Sequence, residues 1–238
     1  ENKHLLIDIL RKEWGFDGAV ITDWGGANDH VEGVKNGSTL EMPSPGLGVA
    51  RRLLKAVGNG ELSEQAIDER VDELLELALS TDKAIAKAPR KFDEAAHHQL
   101  ARKAAAESIV LLKNEEGILP LQQTKKITLI GDFAQNPRYQ GAGSSMVNPT
   151  RVDNLADMAE AAGLNLVGYC AGYERSGKPN KAYFDEAVAQ AKLADIVLLC
   201  IGLDESSESE GLDRSHICIP TVQKELLDAV AAVNPNVV

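Results

Sequence analysis

Cysteine is scarce in this chain of 238 residues: Cys170, Cys200 and Cys218 are an odd number without a paired Cys-x-x-Cys spacing. That argues against dependence on disulfides and leans toward a reducing compartment, the cytoplasm, with a secreted or periplasmic location as the alternative. Cys200 lies inside the apolar run Ile196–Ile201 and reads as packing. No apolar run approaches the ~18 residues of a membrane span, so no membrane partner is expected. Positive charge is also short, with 25 Lys and Arg against 36 Asp and Glu and a formal net charge of −11. This argues against a nucleic-acid surface and suits a neutral or cationic small ligand.

The histidines offer no metal site. His97 and His98 are adjacent on a helical stretch, where neighbours point apart, and His4, His30 and His216 are isolated. A Gly-x-Ser-x-Gly elbow and a Cys/His pairing for acyl transfer are both missing. The glycine-rich stretch Gly131–Ser145 follows a strand-like run, but it has neither Gly-x-Gly-x-x-Gly leading into a helix nor a Gly-Lys-Ser/Thr phosphate clamp. It reads as a shaped loop facing a neighbouring domain, and no cofactor is expected.

Helical and strand-like segments alternate, which predicts an α/β architecture with mostly parallel pairing. Helices are expected over 2–13 and 27–36, with short strands at 19–22 and 38–42, the second ended by Pro43 and the Pro/Gly-rich 44–48. Residues 49–88 read as helical. Ser63 is an N-cap there, and Ile67, Val71, Leu74, Leu75 and Ala78 form one apolar stripe. Pro89, Arg90 and Lys91 mark a boundary, followed by a helix from Asp93 to Glu107. Strands at 127–130, 165–169 and 196–201, with helices at 151–162, 181–193 and 220–232, predict a doubly wound sheet. Two further residues, Val237 and Val238, open a new strand. Both ends read as cut, so a piece of a longer protein is expected.

Two loops invite chemistry. Gly15–Val20 leads through Ile21 and Thr22 into Asp23, Trp24, Gly25 and Gly26. In α/β folds the loops after the carboxyl ends of strands carry reacting groups, so Asp23 is a candidate catalytic carboxylate beside an aromatic face. The other reading is a strand-ending Asp that caps the next helix. Gly202–Arg214, again after an apolar strand, is rich in small residues and acids. It is either a solvated acidic loop or one that delivers a carboxylate.

Taken together, these segments resemble glycoside hydrolase family 3, the β-glucosidase and β-xylosidase group. Residues 15–26 are similar to that family's nucleophile strand, and Leu40-Glu41-Met42-Pro43 to the end of its eighth barrel strand. Ser108–Asn114 with Leu119-Pro120-Leu121 resembles the entry into its second domain. Gly141–Ser145 with Asn148-Pro149 resembles a Gly-Ala-Gly-Ser-Ser loop. Glu210–Arg214 with Ile219-Pro220, Gln223 and Leu226-Leu227 resembles its acid-bearing segment. Five motifs in the family's order cover almost the whole chain.

The resemblance implies an architecture: the end of a (β/α)8 barrel at 1–48, a helical linker region at 49–92, and an incomplete (α/β)6 sandwich at 93–238. It implies a retaining, exo-acting β-glycoside hydrolase, most closely a β-glucosidase. The alternatives are a β-xylosidase, a glucan exohydrolase or a non-catalytic carbohydrate-binding fragment. The partner is a small β-glycoside or oligosaccharide, and the piece alone is expected to be inactive. Asp23 would be the nucleophile, Glu210 the general acid/base and Trp24 a sugar-stacking ring. Glu208 is the competing acid/base. Asp17 would fix a turn and Glu41 would orient neighbours. Thr39 departs from the family, which usually carries Asp there. In a retaining hydrolase the two carboxyls lie about 5–5.5 Å apart. Asp23 must then be ionised while Glu210 holds a proton, which calls for partial desolvation beside a like charge.

Overall fold

The computed structural model describes residues 1–88 and 91–238. These form two units, Glu1–Asp93 and Glu94–Val238. Pro89 and Arg90, expected at the boundary, lie outside the described residues.

The first unit opens on a helix of π type, His4–Glu13, closed by the Trp14 N–H on the Ile9 carbonyl at 2.9 Å. Three α-helices follow: α1 (His30–Lys35), α2 (Leu47–Gly58) and α3 (Glu64–Lys87). Each start has a chemical reason. Asp29 accepts the N–H groups of Val31 and Glu32 at the head of α1. Ser63, as predicted, accepts that of Ala66 at the head of α3. Val31, Ala56 and Leu62 are fully buried, with Leu53, Val57 and Ile67 packed on them, so α1, α2 and α3 share one apolar core. Residues 49–92, expected as a helical linker, therefore hold α2 and α3 packed onto α1, with a turn at 59–63.

The two strands expected at 19–22 and 38–42 are reduced to one parallel bridge between Ile21 and Leu40. A ladder propagates when a strand is paired on both sides, and among the described residues of this unit each segment pairs only with the other. Around the bridge, Thr22 N–H reaches the Leu40 carbonyl at 3.0 Å, and the N–H groups of Thr39 and Leu40 reach the Val20 carbonyl at 2.8 and 3.1 Å.

The second unit begins with α4 (Glu94–Ser108) and contains a parallel sheet of β1 (Ile127–Ile130), β2 (Leu166–Cys170) and β3 (Ile196–Leu199) in the order β2-β1-β3. Helices α5 (Leu155–Ala161), α6 (Lys181–Ala191) and α7 (Thr221–Val233) connect and follow the strands. Asn154 and Asn180 cap α5 and α6.

All four residues of β1 are buried, as a central parallel strand demands. Ile127 and Leu129 join one apolar cluster, against Ala156 of α5 and Leu164. Ile130 joins another, with Ala187 and Ala191 of α6 and Leu226 and Val230 of α7. Helices thus cover both faces of the sheet. The strand expected at Val237 appears as a single parallel bridge to Val197. Residues 109–112, an apolar run after α4, form no regular element, and Ile109 and Leu112 are exposed.

Candidate active site

In this order of strands the chain turns one way from β1 to β2 and the other way to β3. The crevice beyond the carboxyl ends of such a pair is where open α/β sheets bind ligands. The loop after β1 carries Gly131–Ser145 and the loop after β3 carries Gly202–Arg214, so the topology brings these two stretches together within the second unit.

Their contacts are specific. The Ser144 N–H donates to Glu210 Oε2 at 2.6 Å, and the Glu210 N–H donates to the Ala142 carbonyl at 3.1 Å. Gly143 has φ +105°, and a Cβ there would sit 2.5 Å from Glu210 Cβ; only glycine fits. Glu210 is solvent-exposed. Ser144, through its hydroxyl and its N–H, holds the Glu210 carboxyl below the usual carboxylate range. The expected desolvated, proton-holding environment is therefore not what this unit supplies: its hydrogen bonds favour the ionised form.

Glu208 is engaged differently. Arg138, from the β1 loop, pairs with its carboxylate and donates to its backbone carbonyl at 2.8 Å. The carboxylate of Glu208 is thus occupied by a guanidinium, while that of Glu210 faces solvent and a backbone N–H.

Both loops are anchored at their base. Burial raises the Asp204 carboxyl, but hydrogen bonds from the hydroxyls of Ser207 and Ser206 and from the Ser207 N–H outweigh it, and the net shift is downward. The buried Gln223 side chain of α7 clasps Gly202, accepting its N–H at 2.8 Å and donating to its carbonyl at 2.9 Å. Arg175 pairs with Asp132 and lies 4.4 Å above the Phe133 ring. Arg138, Arg175 and Asp204 had no assigned role from sequence. Arginine in a loop reads as a solvated charge until its carbonyl partners are known.

In the first unit, Asp23 follows the Ile21–Leu40 bridge at its carboxyl end and is exposed. Its carboxylate accepts the Trp24 N–H at 2.8 Å and its carbonyl accepts the Gly26 N–H at 3.0 Å, closing a turn in which Gly25 has φ +72°. The cap of α1 is Asp29, so Asp23 is not needed there. The Trp24 indole is 67% exposed, free to offer a ring face.

Glu41 pairs with His30 Nδ1 at 2.6 Å. Together with Thr22, Thr39, Leu40 and Leu53 they line a cleft of about 300 Å³. Thr39, the departure from the family, donates its hydroxyl to Glu73 Oε2 at 2.5 Å and accepts the Val20 N–H at 2.9 Å. Among the described residues no cluster of three or more His, Cys, Asp or Glu side chains is arranged to hold a metal ion. No described helix is long and apolar enough to cross a membrane.

Residues 1–77 match the glycosyl hydrolase family 3 N-terminal domain and residues 109–238 match the C-terminal domain of the same family. The chain belongs to glycosyl hydrolase family 3.

It is 43% identical to the thermostable beta-glucosidase B of Acetivibrio thermocellus over its whole length, covering 32% of that protein. It is 39% identical to an exo-alpha-(1->6)-L-arabinopyranosidase of Bifidobacterium breve, again over all of this chain and 32% of the relative. Among solved structures, the GH3 beta-glucosidase of Bifidobacterium adolescentis superposes with a TM-score of 0.89 at 40% identity, covering 99% of this chain and 34% of that one. The chain thus spans about a third of the length of these relatives.

Proposed function

We propose that the protein to which these residues belong is a retaining, exo-acting β-glycoside hydrolase of the β-glucosidase type. What carries the reading is that the loop following the parallel pairing in each unit holds an exposed carboxylate, Asp23 in the first and Glu210 in the second. This occurs in a chain of a glycosyl hydrolase family. In this reading 1–48 closes a (β/α)8 barrel and 93–238 belongs to an (α/β)6 sandwich.

Asp23 attacks the anomeric carbon as Glu210 gives its proton to the departing glycosidic oxygen. Glu210 then takes a proton from water, and the resulting hydroxide releases the sugar from Asp23. Trp24 stacks on the apolar face of the sugar ring. Glu210 is preferred over Glu208 because Arg138 occupies the Glu208 carboxylate. For Glu210 to start protonated, the hold of Ser144 has to be outweighed by the negative charge of the nucleophile and by exclusion of water in the loaded enzyme.

The full-length Asp23→Ala variant is expected to lose turnover of 4-nitrophenyl β-glucoside, and wild-type rates would refute the nucleophile. Glu210→Ala is expected to slow poor leaving groups by about 10²–10⁴-fold and to be partly rescued by azide. The same behaviour in Glu208→Ala instead would move the acid/base role there. A second reading has its own support: the arabinopyranosidase relative matches all of this chain at 39% identity. Comparing kcat/KM for 4-nitrophenyl β-glucoside and 4-nitrophenyl α-L-arabinopyranoside decides between them.

A further inference from the structure

The segment that carries Asp23 is short of apolar support. None of residues 19–23 is fully buried, and the core of the first unit is built by α1, α2 and α3 around Val31, Ala56 and Leu62. A single bridge, Ile21 to Leu40, relates the segment to its neighbour. In its place a polar network does the fixing.

Glu73, on α3, binds two guanidiniums and one hydroxyl. Arg11 reaches its two oxygens at 2.9 and 3.0 Å, Arg70 reaches Oε1 at 2.7 Å, and Thr39 donates to Oε2 at 2.5 Å. Arg11 also donates to the carbonyls of Gly18 and Gly37 at 3.2 and 3.0 Å, the residues that lead into each segment. The side chains of Arg11, Arg70 and Glu73 are only 9–13% exposed. Charges this buried hold their geometry, because a displaced partner would leave an uncompensated charge.

The Thr39 hydroxyl is the point where this network meets the register of the two segments. It accepts the Val20 N–H at 2.9 Å while its donated proton is fixed on Glu73. At the far end the Thr22 hydroxyl does the matching work, accepting the Met42 N–H at 2.9 Å. Two threonines, one from each segment, therefore pin three residues of pairing from opposite ends, and Asp23 is the next residue. A slip of one residue would turn every side chain to the other face.

We propose that Thr39, clamped by Glu73, is a positioning residue that sets where the Asp23 carboxylate stands. The proposal rests on the hydrolase reading for its catalytic consequence and on this network alone for its structural one. The tests are therefore read separately in the full-length protein. Thr39→Val keeps the shape of the side chain and removes both hydrogen bonds. It is expected to lose amide-exchange protection at Val20 and Thr22 and to lower kcat on 4-nitrophenyl β-glucoside by about 10- to 100-fold, with KM within about twofold of wild type, as for an interaction that matters in the transition state. Thr39→Ser is expected to restore both. If Thr39→Val does not fold, Thr39→Ala is read by the same two measurements.

Unchanged protection, or lost protection with unchanged kcat, overturns the positioning role. A wild-type protein that hydrolyses neither glycoside, or an Asp23→Ala variant as active as wild type, refutes the hydrolase reading and with it the catalytic consequence. The exchange measurement still decides whether Thr39 pins the segment.

Discussion

Glu210 and Ser144 are joined at 2.6 Å by the Ser144 N–H, and Ser144 holds the Glu210 carboxyl below its ordinary range. In the role proposed for Glu210, a general acid works while protonated, so activity falls as the pH rises through its pKa. Removing the hydroxyl in Ser144→Ala lifts the Glu210 pKa toward the ordinary value. The basic limb of the kcat/KM profile is then expected to move to higher pH, with the acidic limb unmoved. A profile in which the basic limb stays in place would detach that limb from Glu210.

Gly143 makes the same contact geometrically. Its φ of +105° and the 2.5 Å approach to Glu210 Cβ leave no room for a side chain. Gly143→Ala is expected to displace Glu210 and, in the role proposed for Glu210, to lower kcat by about 10²–10⁴-fold, the range for a lost general acid/base. Stability should change less, because the loop is exposed. Circular dichroism melts beside the kinetics check this.

Gly131, where the chain leaves β1, is a stability position. A Cβ there would lie 2.1 Å from the Cys200 carbonyl oxygen, at φ +116°. That carbonyl is itself fixed by the Tyr173 hydroxyl at 2.6 Å and has little freedom to retreat. Backbone strain and overpacking together predict a loss of about 2–6 kcal/mol for Gly131→Ala, measurable by urea denaturation.

Asp204 links the second loop to pH. Its folded pKa is lowered, so its contribution to stability is complete above the unfolded value of about 3.9 and is lost as the pH falls through the folded value. Asp204→Ala is expected to cost about 1–3 kcal/mol near neutral pH. The difference from wild type should shrink below about pH 4. A difference independent of pH would show that packing, not the charged hydrogen bonds, is what the residue supplies.

The thiols divide by burial. Burial pushes Cys170 up to about 11, aided by the negative charge of Glu186, and burial also raises Cys200. Cys218 is exposed. Because thiolates are the reacting form, a native titration with a disulfide reagent, read site by site, is expected to label Cys218 fast and Cys170 and Cys200 only on unfolding. Three fast thiols would contradict the buried placement of Cys170.

Much of the fold was legible residue by residue. The run Ile127–Ile130 is a strand with the predicted limits, Ser63 caps α3, and the helices at 94–108, 181–191 and 221–233 lie within about two residues of expectation. These are local matters of periodicity, β-branching and capping. The runs at 19–22 and 38–42 carried equally good strand signals and gave one bridge. A strand signal reports that a segment can be buried, whereas a ladder also requires neighbours to bond to, and that is a property of the surrounding chain.

The sequence by itself determined the family, the order of its motifs and the two acids, Asp23 and Glu210, as candidates. Tertiary structure decided how each acid is held. Arg138 meets Glu208 across 70 residues of sequence, Thr39 meets Glu73 across 34, and Gln223 meets Gly202 across 21. It also determined that Glu210 is solvated and hydrogen-bonded to Ser144, not desolvated. Hydrogen bonds and charges act over a few ångströms, and only the folded path of the backbone decides which distant residues come within that range.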